Sequence, residues 1–317
     1  DGVSYASFEE INMGGGADRA TVNEAVNQLN LDAGNDVATL QSGASGNIDG
    51  GSDDDTLNTR ASFDSNLVGG NNGLVDGVSY ASFEEINMGG GADTATVNEA
   101  VNQLNMGAGV DKATVSATVG QLNLDAGNDV ATLQSGASGN IDGGSDDDTL
   151  NTRASFDSNL VGGNNGLVDG VSYASFEEIN MGGGADTATV NATVGKLNMG
   201  RGGDEATVSA TVGELNMGRG EDTATLEEGA FGIINGGSNS DTLNTKEAFG
   251  SVLEGGTNGE VDGVRYTSFE EINMGGGADT ATVNEAVNQL NMGAGVDKAT
   301  VSATVGQLNL DAGNDVA

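Results

Sequence analysis

Fourteen aspartates close a Gly-rich turn that recurs along the chain: Asp18, Asp36, Asp55, Asp93, Asp111, Asp129, Asp148, Asp186, Asp204, Asp222, Asp241, Asp279, Asp297 and Asp315. The turns read MGAGVDKAT, LDAGNDVAT, MGGGADTAT, GGSDDDTLN and GGSNSDTLN. Glycine allows the positive backbone dihedrals of a tight turn and lets carbonyl oxygens face inward. A carboxylate with several carbonyl oxygens is a donor set for a hard cation, suited to Ca²⁺ with its six to eight oxygens. A single GxGxD is an ordinary acidic β-turn; the repetition in register is what points to a row of cation sites. Asp53, Asp54, Asp146 and Asp147 are either extra ligands or solvated carboxylates. Asp32 and Asp125, which replace the second Gly, are equally open.

Composition removes the other chemistries. The 317 residues include no Cys and no His, so thiol nucleophiles, imidazole bases, zinc clusters and disulfides are excluded. The net charge of −38 argues against nucleic acid and anionic lipid as partners. No apolar run approaches the roughly 18–20 residues of a membrane helix, so no membrane insertion is expected. Carboxylate pairs such as Glu177–Glu178 have no cleft-forming insertion beside them, and no enzyme is expected.

The elements that must hold these turns follow from the repeats. DGVSYASFEE or a close relative starts at Asp1, Asp76, Asp169 and Asp262, giving superrepeats 1–75, 76–168, 169–261 and 262–317. Residues 31–98 match 124–191 letter for letter, and 83–131 match 269–317. Within each superrepeat the turn aspartates are evenly spaced, as in Asp93, Asp111 and Asp129, except that the gap doubles after Asp55, Asp148 and Asp241. Even spacing places a turn that has lost its Asp at Leu74, Leu167 and Glu260, for about 17 coils in all. Leu or Ile stands seven places before the turn Asp, as in Leu122 before Asp129 and Ile141 before Asp148.

Between turns the pattern is that of strands. Ala113, Val115, Ala117 and Val119 alternate with Thr114, Ser116 and Thr118, and after a break at Gly120–Gln121 the alternation resumes. Period two over short Gly-bounded runs marks half-buried strands. VNEAVNQLN also fits an amphipathic helix, but a Gly-rich turn in every coil leaves no room for one. The expected fold is all-β: one continuous parallel β-solenoid over 1–317, with one Gly/Asp turn in each coil of about 18–19 residues.

Stacking has an electrostatic consequence. Asp side chains about 4.8 Å apart repel by about 1 kcal/mol per pair at bulk-water dielectric, and about 3–4 kcal/mol at an effective dielectric near 20. One divalent ion per Asp-bearing turn would bring about +28 against the chain's −38.

GGSDDDTLN at 50–58 and 143–151, GGSNSDTLN at 236–244 and LDAGNDVAT at 124–132 resemble the RTX nonapeptide GGxGxDxUx. That resemblance implies a Ca²⁺-loaded parallel β-roll exported by type I secretion, with the sixth-position Asp as side-chain ligand. It is incomplete, because an RTX roll carries two nonapeptides per coil and this chain has one. A single calcium ladder on one edge, with a metal-free turn on the other, is therefore expected.

Other columns have structural expectations. The Asn column, including Asn87, Asn105 and Asn123, is expected to form a stacked amide ladder. Tyr80 and Phe83, with Tyr173, Phe176, Tyr266 and Phe269, are expected to fill core space, and Glu84–Glu85 to face solvent. The functional expectation is a calcium-rigidified extracellular fibre, surface-layer or adhesin-stalk segment. Its partner would be itself, through end-to-end or lateral assembly or continuation in a longer chain. The alternative is an RTX-type accessory or binding module, including an ice- or glycan-binding one. Thr-x-Thr occurs at Thr94–Thr96, but Lys112 and Val130 interrupt a flat Thr array.

Overall fold

The computed structural model describes residues 10–59, 65–152, 158–245 and 250–317, so the first DGVSYASFE at 1–9 lies outside the described residues. Two compact units are present: Asp1–Leu150 with Gly170–Phe176, and Asn151–Asp169 with Glu177–Ala317. Each is an all-β parallel solenoid, as the period-two pattern requires. Ala113, Val115, Val119 and Leu122 are buried, while Thr114 is half-buried and Thr118 exposed. Ala117 is half-buried, because the chain turns at Ser116–Ala117. The break at Gly120–Gln121 becomes a register shift between Val119 and Leu122 against the next coil, a bulge that takes back one of the two residues gained at the turn between Leu133 and Ser138.

In the first unit two sheets stack their strands coil upon coil. One begins with Ile11–Asn12, Ala25–Asn30 and Ser45–Asp49, the strands that enter the Asp turns. The other begins with Arg19–Val22, Val37–Leu40 and Thr56–Asn58, the strands that leave them. This assignment then reverses. Thr56–Asn58 pairs with Glu85–Asn87, which enters the next Asp turn and is followed by Val101–Asn105 and Thr118–Asn123. In the opposite sheet the strands after the turn, Thr94–Val97, Lys112–Val115 and Val130–Leu133, continue the column that began with strands before it.

The reversal is made by a three-stranded antiparallel meander built into the first sheet. Ser45–Asp49 pairs in parallel with Val78–Ala81, which pairs antiparallel with Gly73–Val75. Gly73–Val75 pairs antiparallel with Asn66–Gly69, which runs parallel to Thr94–Val97. The second unit repeats this with Val252–Gly255, Gly259–Val261 and Val264–Thr267. Leu74, Leu167 and Glu260 are therefore not coil turns that have lost an Asp; each lies in a strand paired antiparallel to its neighbour. The local cause is legible in the residues. Asp76 and Gly77, at φ of 50° and 82°, form a two-residue hairpin turn in which both positions are left-handed. That geometry matches the twist of the flanking strands and favours Asp-Gly. After Asp55 the chain needs 29 residues to return to the same place, at Glu84, and reaches Asp93 half a coil later.

The core at this junction is aromatic. Tyr80 and Phe83 meet edge to face at 6.3 Å, and the Tyr80 hydroxyl donates to the Gly70 carbonyl at 2.9 Å. The expectation that these rings are core filling holds; Phe83 is wholly buried. The Asn ladder also forms. Asn123 donates to Asn105 at 2.7 Å, Asn105 to Asn87 at 2.6 Å and Asn87 to Asn58 at 2.9 Å, so this ladder begins at Asn58, on the last strand before the reversal.

Phe83→Ala should cost about 3–5 kcal/mol of unfolding free energy in calcium-saturated urea melts. Leu74→Ser, on the 47% exposed middle strand of the meander, should change it by less than about 0.5 kcal/mol.

Candidate metal centre

The Asp turns stack in register, each through a parallel bridge between third-position residues such as Gly90, Ala108, Ala126 and Ser145. Their second positions, and most of their fourth, carry positive φ, which explains the GxG spacing. Gly14 and Gly16, Asp32 and Gly34, Gly51 and Asp53, Asp125 and Gly127 form successive pairs. Asp32, Asp53, Asp125 and Asp146 thus occupy left-handed positions that Asp tolerates better than most residues. All four are exposed, outside the buried column, and the Asp32 carboxylate accepts the Gly14 N–H at 3.0 Å. Asp54 and Asp147 are exposed as well.

The Asp at the turn's end is different in kind. Each backbone N–H donates to Oδ1 of the Asp one coil on: Asp18 to Asp36 at 2.7 Å and Asp36 to Asp55 at 2.8 Å. Asp93 donates to Asp111 and Asp111 to Asp129, both at 2.7 Å, and Asp129 to Asp148 at 2.9 Å. In the second unit Asp186, Asp204, Asp222 and Asp241 are linked at 2.8–3.0 Å, and Asp279, Asp297 and Asp315 at 2.9–3.0 Å. All fourteen predicted aspartates fall in these columns, and most are almost entirely buried.

The columns are segmented, which the even spacing did not foretell. Where a ladder starts, a Ser N–H stands in place of the Asp: Ser65 donates to Asp93 at 2.6 Å and Ser158 to Asp186 at 2.7 Å. Where one ends, Glu takes over, as the Asp55 N–H donates to Glu84 Oε2 at 3.1 Å and the Asp241 N–H to Glu270 Oε2 at 3.0 Å. Glu84 is therefore not simply a solvent-facing residue; its other oxygen accepts from Asn71 Nδ2 at 3.3 Å. Because the entering and leaving strands exchange sheets at the meander, Asp18–Asp55 and Asp93–Asp148 lie on opposite edges of the first unit. The single-edge expectation is corrected accordingly: one edge carries a ladder at a time, and the edge alternates.

Oxygen lines the inside of these turns. The position of a Cβ on Gly127 lies 1.4 Å from the Gly109 carbonyl oxygen of the previous coil and 3.4 Å from Asp129 Oδ1. For Gly220 the corresponding distances are 1.3 Å to the Gly202 oxygen and 2.7 Å to Asp222 Oδ1. Oδ2 of Asp36, Asp55, Asp129, Asp222, Asp241, Asp279 and Asp297 is buried and accepts no hydrogen bond. A buried carboxylate oxygen without a donor is costly. Burial accordingly pushes the Asp55, Asp129, Asp241 and Asp279 carboxyls up to about 6, against the opposing backbone N–H bond and with neighbouring carboxylates adding to the rise. Among the described residues no three carboxylates converge. A cation here would draw one carboxylate from a turn and the rest of its shell from backbone carbonyls. The donors present, oxygen only and short of hydrogen-bond partners, fit a hard divalent cation.

No family model and no curated protein matches this chain. Among solved structures it is similar to a hyperactive, Ca²⁺-dependent, β-helical antifreeze protein from an Antarctic bacterium. Identity is 17% over 94% of this chain and 83% of that one, with a TM-score of 0.24. At that score no residue role passes from one to the other.

Two outcomes follow from this geometry. Gly127→Ala must strain a φ of 139° and meet a backbone oxygen, so it should cost about 2–4 kcal/mol in thermal or urea melts. Gly170→Ala, with nothing within 4 Å of its Cβ position, should cost only the strain of about 1–2 kcal/mol. The second concerns pH. Carboxyls raised to about 6 in the fold from an ordinary 3.8 favour the metal-free fold when protonated. That contribution is complete below pH about 4 and is lost as pH rises through about 6. In chelator the melting temperature should therefore be higher at pH 4.5 than at 7.5; with saturating Ca²⁺ the order should invert, because protons compete for the same oxygens.

Proposed function

We propose that this chain is a calcium-rigidified structural segment of a secreted fibre, surface layer or adhesin stalk. The fourteen turn aspartates would each supply a carboxylate to a Ca²⁺ ion. The observation that carries this reading is the row of buried Asp Oδ2 atoms without donors, at Asp36–Asp55, Asp222–Asp241 and Asp279–Asp297. Bound Ca²⁺ would supply the positive charge that these oxygens lack. The chain's own part is to hold the carboxylates in line through the Asp N–H to Asp Oδ1 bonds, and to turn glycine carbonyls toward them.

Mutual repulsion along the ladder disfavours the fold where free Ca²⁺ is scarce. At a hundred times the dissociation constant each independent site stabilises the folded chain by about 2.7 kcal/mol. A chain that stays unfolded in the cytosol and stiffens at millimolar Ca²⁺ outside the cell fits an extracellular location. Export by a type I route rests on the RTX resemblance. Near-identical superrepeats along the sequence favour a load-bearing or spacing role, with further copies of the same repeat as partner.

A second reading, a binding module that includes ice binding, draws on one column. Thr96, Thr114 and Thr132 are in register on adjacent strands, but the neighbouring column is Thr94, Lys112 and Val130. Measurable thermal hysteresis would favour that reading over the structural one.

Far-UV circular dichroism in EGTA, titrated with Ca²⁺, tests the proposal. The expected result is a coil-to-strand transition between micromolar and millimolar Ca²⁺, shifted to higher Ca²⁺ in Asp111→Asn, with rods or filaments in negative stain at the endpoint. A spectrum rich in strand and unmoved by EGTA would overturn it.

A further inference from the structure

The ends of the ladders are built differently from their interiors. Within a ladder the residue five places before the Asp is a fully buried Leu or Met, as with Leu31, Met106 and Leu124. In the last coil it is Gly, at Gly50 before Asp55 and Gly236 before Asp241. The Cβ position of Gly50 lies 2.2 Å from the Ser82 carbonyl oxygen and 2.7 Å from Asp55 Oδ2. At Gly236 the distances are 2.1 Å to the Ser268 oxygen and 2.9 Å to an Asp241 oxygen, again Oδ2. The Ser82 carbonyl oxygen and Asp55 Oδ2 thus lie on two sides of the same point, where only Gly leaves them free to approach, and the Ser268 carbonyl and Asp241 Oδ2 repeat the arrangement. Asp55 and Asp241 are each 1% exposed, and their Oδ2 atoms accept no hydrogen bond.

The serines are held there against local preference. Ser82 and Ser268 have φ of 57° and 59°, a left-handed conformation that costs a non-Gly residue about 1–2 kcal/mol. Their N–H groups are fastened to Asn72 Oδ1 at 2.9 Å and Asn258 Oδ1 at 3.0 Å. Glu84 and Glu270 add a second carboxylate beside the terminal Asp through its N–H. Backbone N–H groups and Asn71 satisfy Glu84 and Oδ1 of Asp55, but the buried Oδ2 has no donor and faces a carbonyl oxygen, an arrangement suited to a cation.

We propose that the oxygen cluster at the end of the Asp18–Asp55 ladder, and its counterpart at the end of the Asp186–Asp241 ladder, is a separate cation site, distinct from the Gly–Asp turns along it. Its ligands are the Asp55 carboxylate and the Ser82 carbonyl, with Glu84 supplying the second charge, and Asp241, Ser268 and Glu270 in the second unit. All its donors are oxygen, so it takes a hard divalent cation, Ca²⁺ in the secreted setting. It rests on the calcium reading of the ladders and extends it to residues outside the Gly–Asp motif. Its role is to close a ladder that would otherwise stop on an unmatched buried charge.

The test uses the full chain with Glu84→Gln and Glu270→Gln, which keep an acceptor for the Asp N–H while removing the charge. Equilibrium dialysis with radioactive Ca²⁺ should show one tightly bound ion lost for each Glu replaced. Tb³⁺ gives a local readout, since Tyr80 and Tyr266 lie two places before Ser82 and Ser268. Tyrosine-sensitised Tb³⁺ emission should fall in the Gln variants and persist in Asp111→Asn. An unchanged ion count and unchanged emission would overturn the proposal, leaving Glu as a backbone cap. A wild-type chain that binds no Ca²⁺ at all would instead overturn the calcium reading itself. Should the Gln variants fail to fold in saturating Ca²⁺, the wild-type titration decides. Tyrosine-sensitised emission from the first Tb³⁺ equivalents supports the site, and its absence with Tb³⁺ bound overturns it.

Discussion

Buried carboxylates stacked one per coil are the constraint on which the rest of this structure depends. Every other feature of the coil serves to place an Asp beneath the next and to keep it dry. The glycines at second and fourth positions turn the chain sharply and lie against backbone oxygens of the coil before. The Asp N–H to Asp Oδ1 bond fixes the spacing, and the Leu or Met five places earlier seals the turn from the core side. What results is a row of buried carboxylates in which Asp36, Asp55, Asp129, Asp222, Asp241, Asp279 and Asp297 accept a backbone N–H on Oδ1 and have no donor on Oδ2. A carboxylate placed this way is relieved by a cation or by protonation, which is why burial raises a carboxyl pKa.

The reversal of sheets at each meander limits how far that row extends. A ladder begins over Ser, runs through Asp residues and ends under Glu, and the next one starts on the other edge half a coil later. Segmentation keeps the repulsion of a metal-free ladder from accumulating along the whole chain. The aromatic pair Tyr80–Phe83 packs at the half-coil step, where the Asn12–Asn30 ladder of one sheet gives way to Asp49 and Ala81 and a new one starts at Asn58 in the other.

Much of this was legible before any coordinates. The even coil period, the inward Ala, Val and Leu, the stacked Asn amides and the fourteen aligned aspartates all follow from local pattern, since period-two strands and Gly turns are written in consecutive residues. The meander was also written there. Asp76-Gly77 between Leu74-Val75 and Val78-Ser79-Tyr80 is a hairpin signal, but dividing the doubled gap into two even coils passes over it. Glu84 shows a different limit. In sequence it is one of two adjacent acids beside a buried Phe, and only its position above Asp55 gives it a role.

The sequence by itself determined the coil: which residues face inward, where the chain turns, and that one carboxylate per turn is buried among oxygens. The tertiary structure alone decided which edge each ladder occupies, where it starts and stops, and which side chains outside the motif complete it. The physical reason is the symmetry of the strand. A half-buried strand of period two fits equally well before or after a turn, so its sheet is chosen by pairing with strands of other coils, as Ile48 with Tyr80 and Leu57 with Ile86. Those pairings are non-local, and no window of consecutive residues contains them.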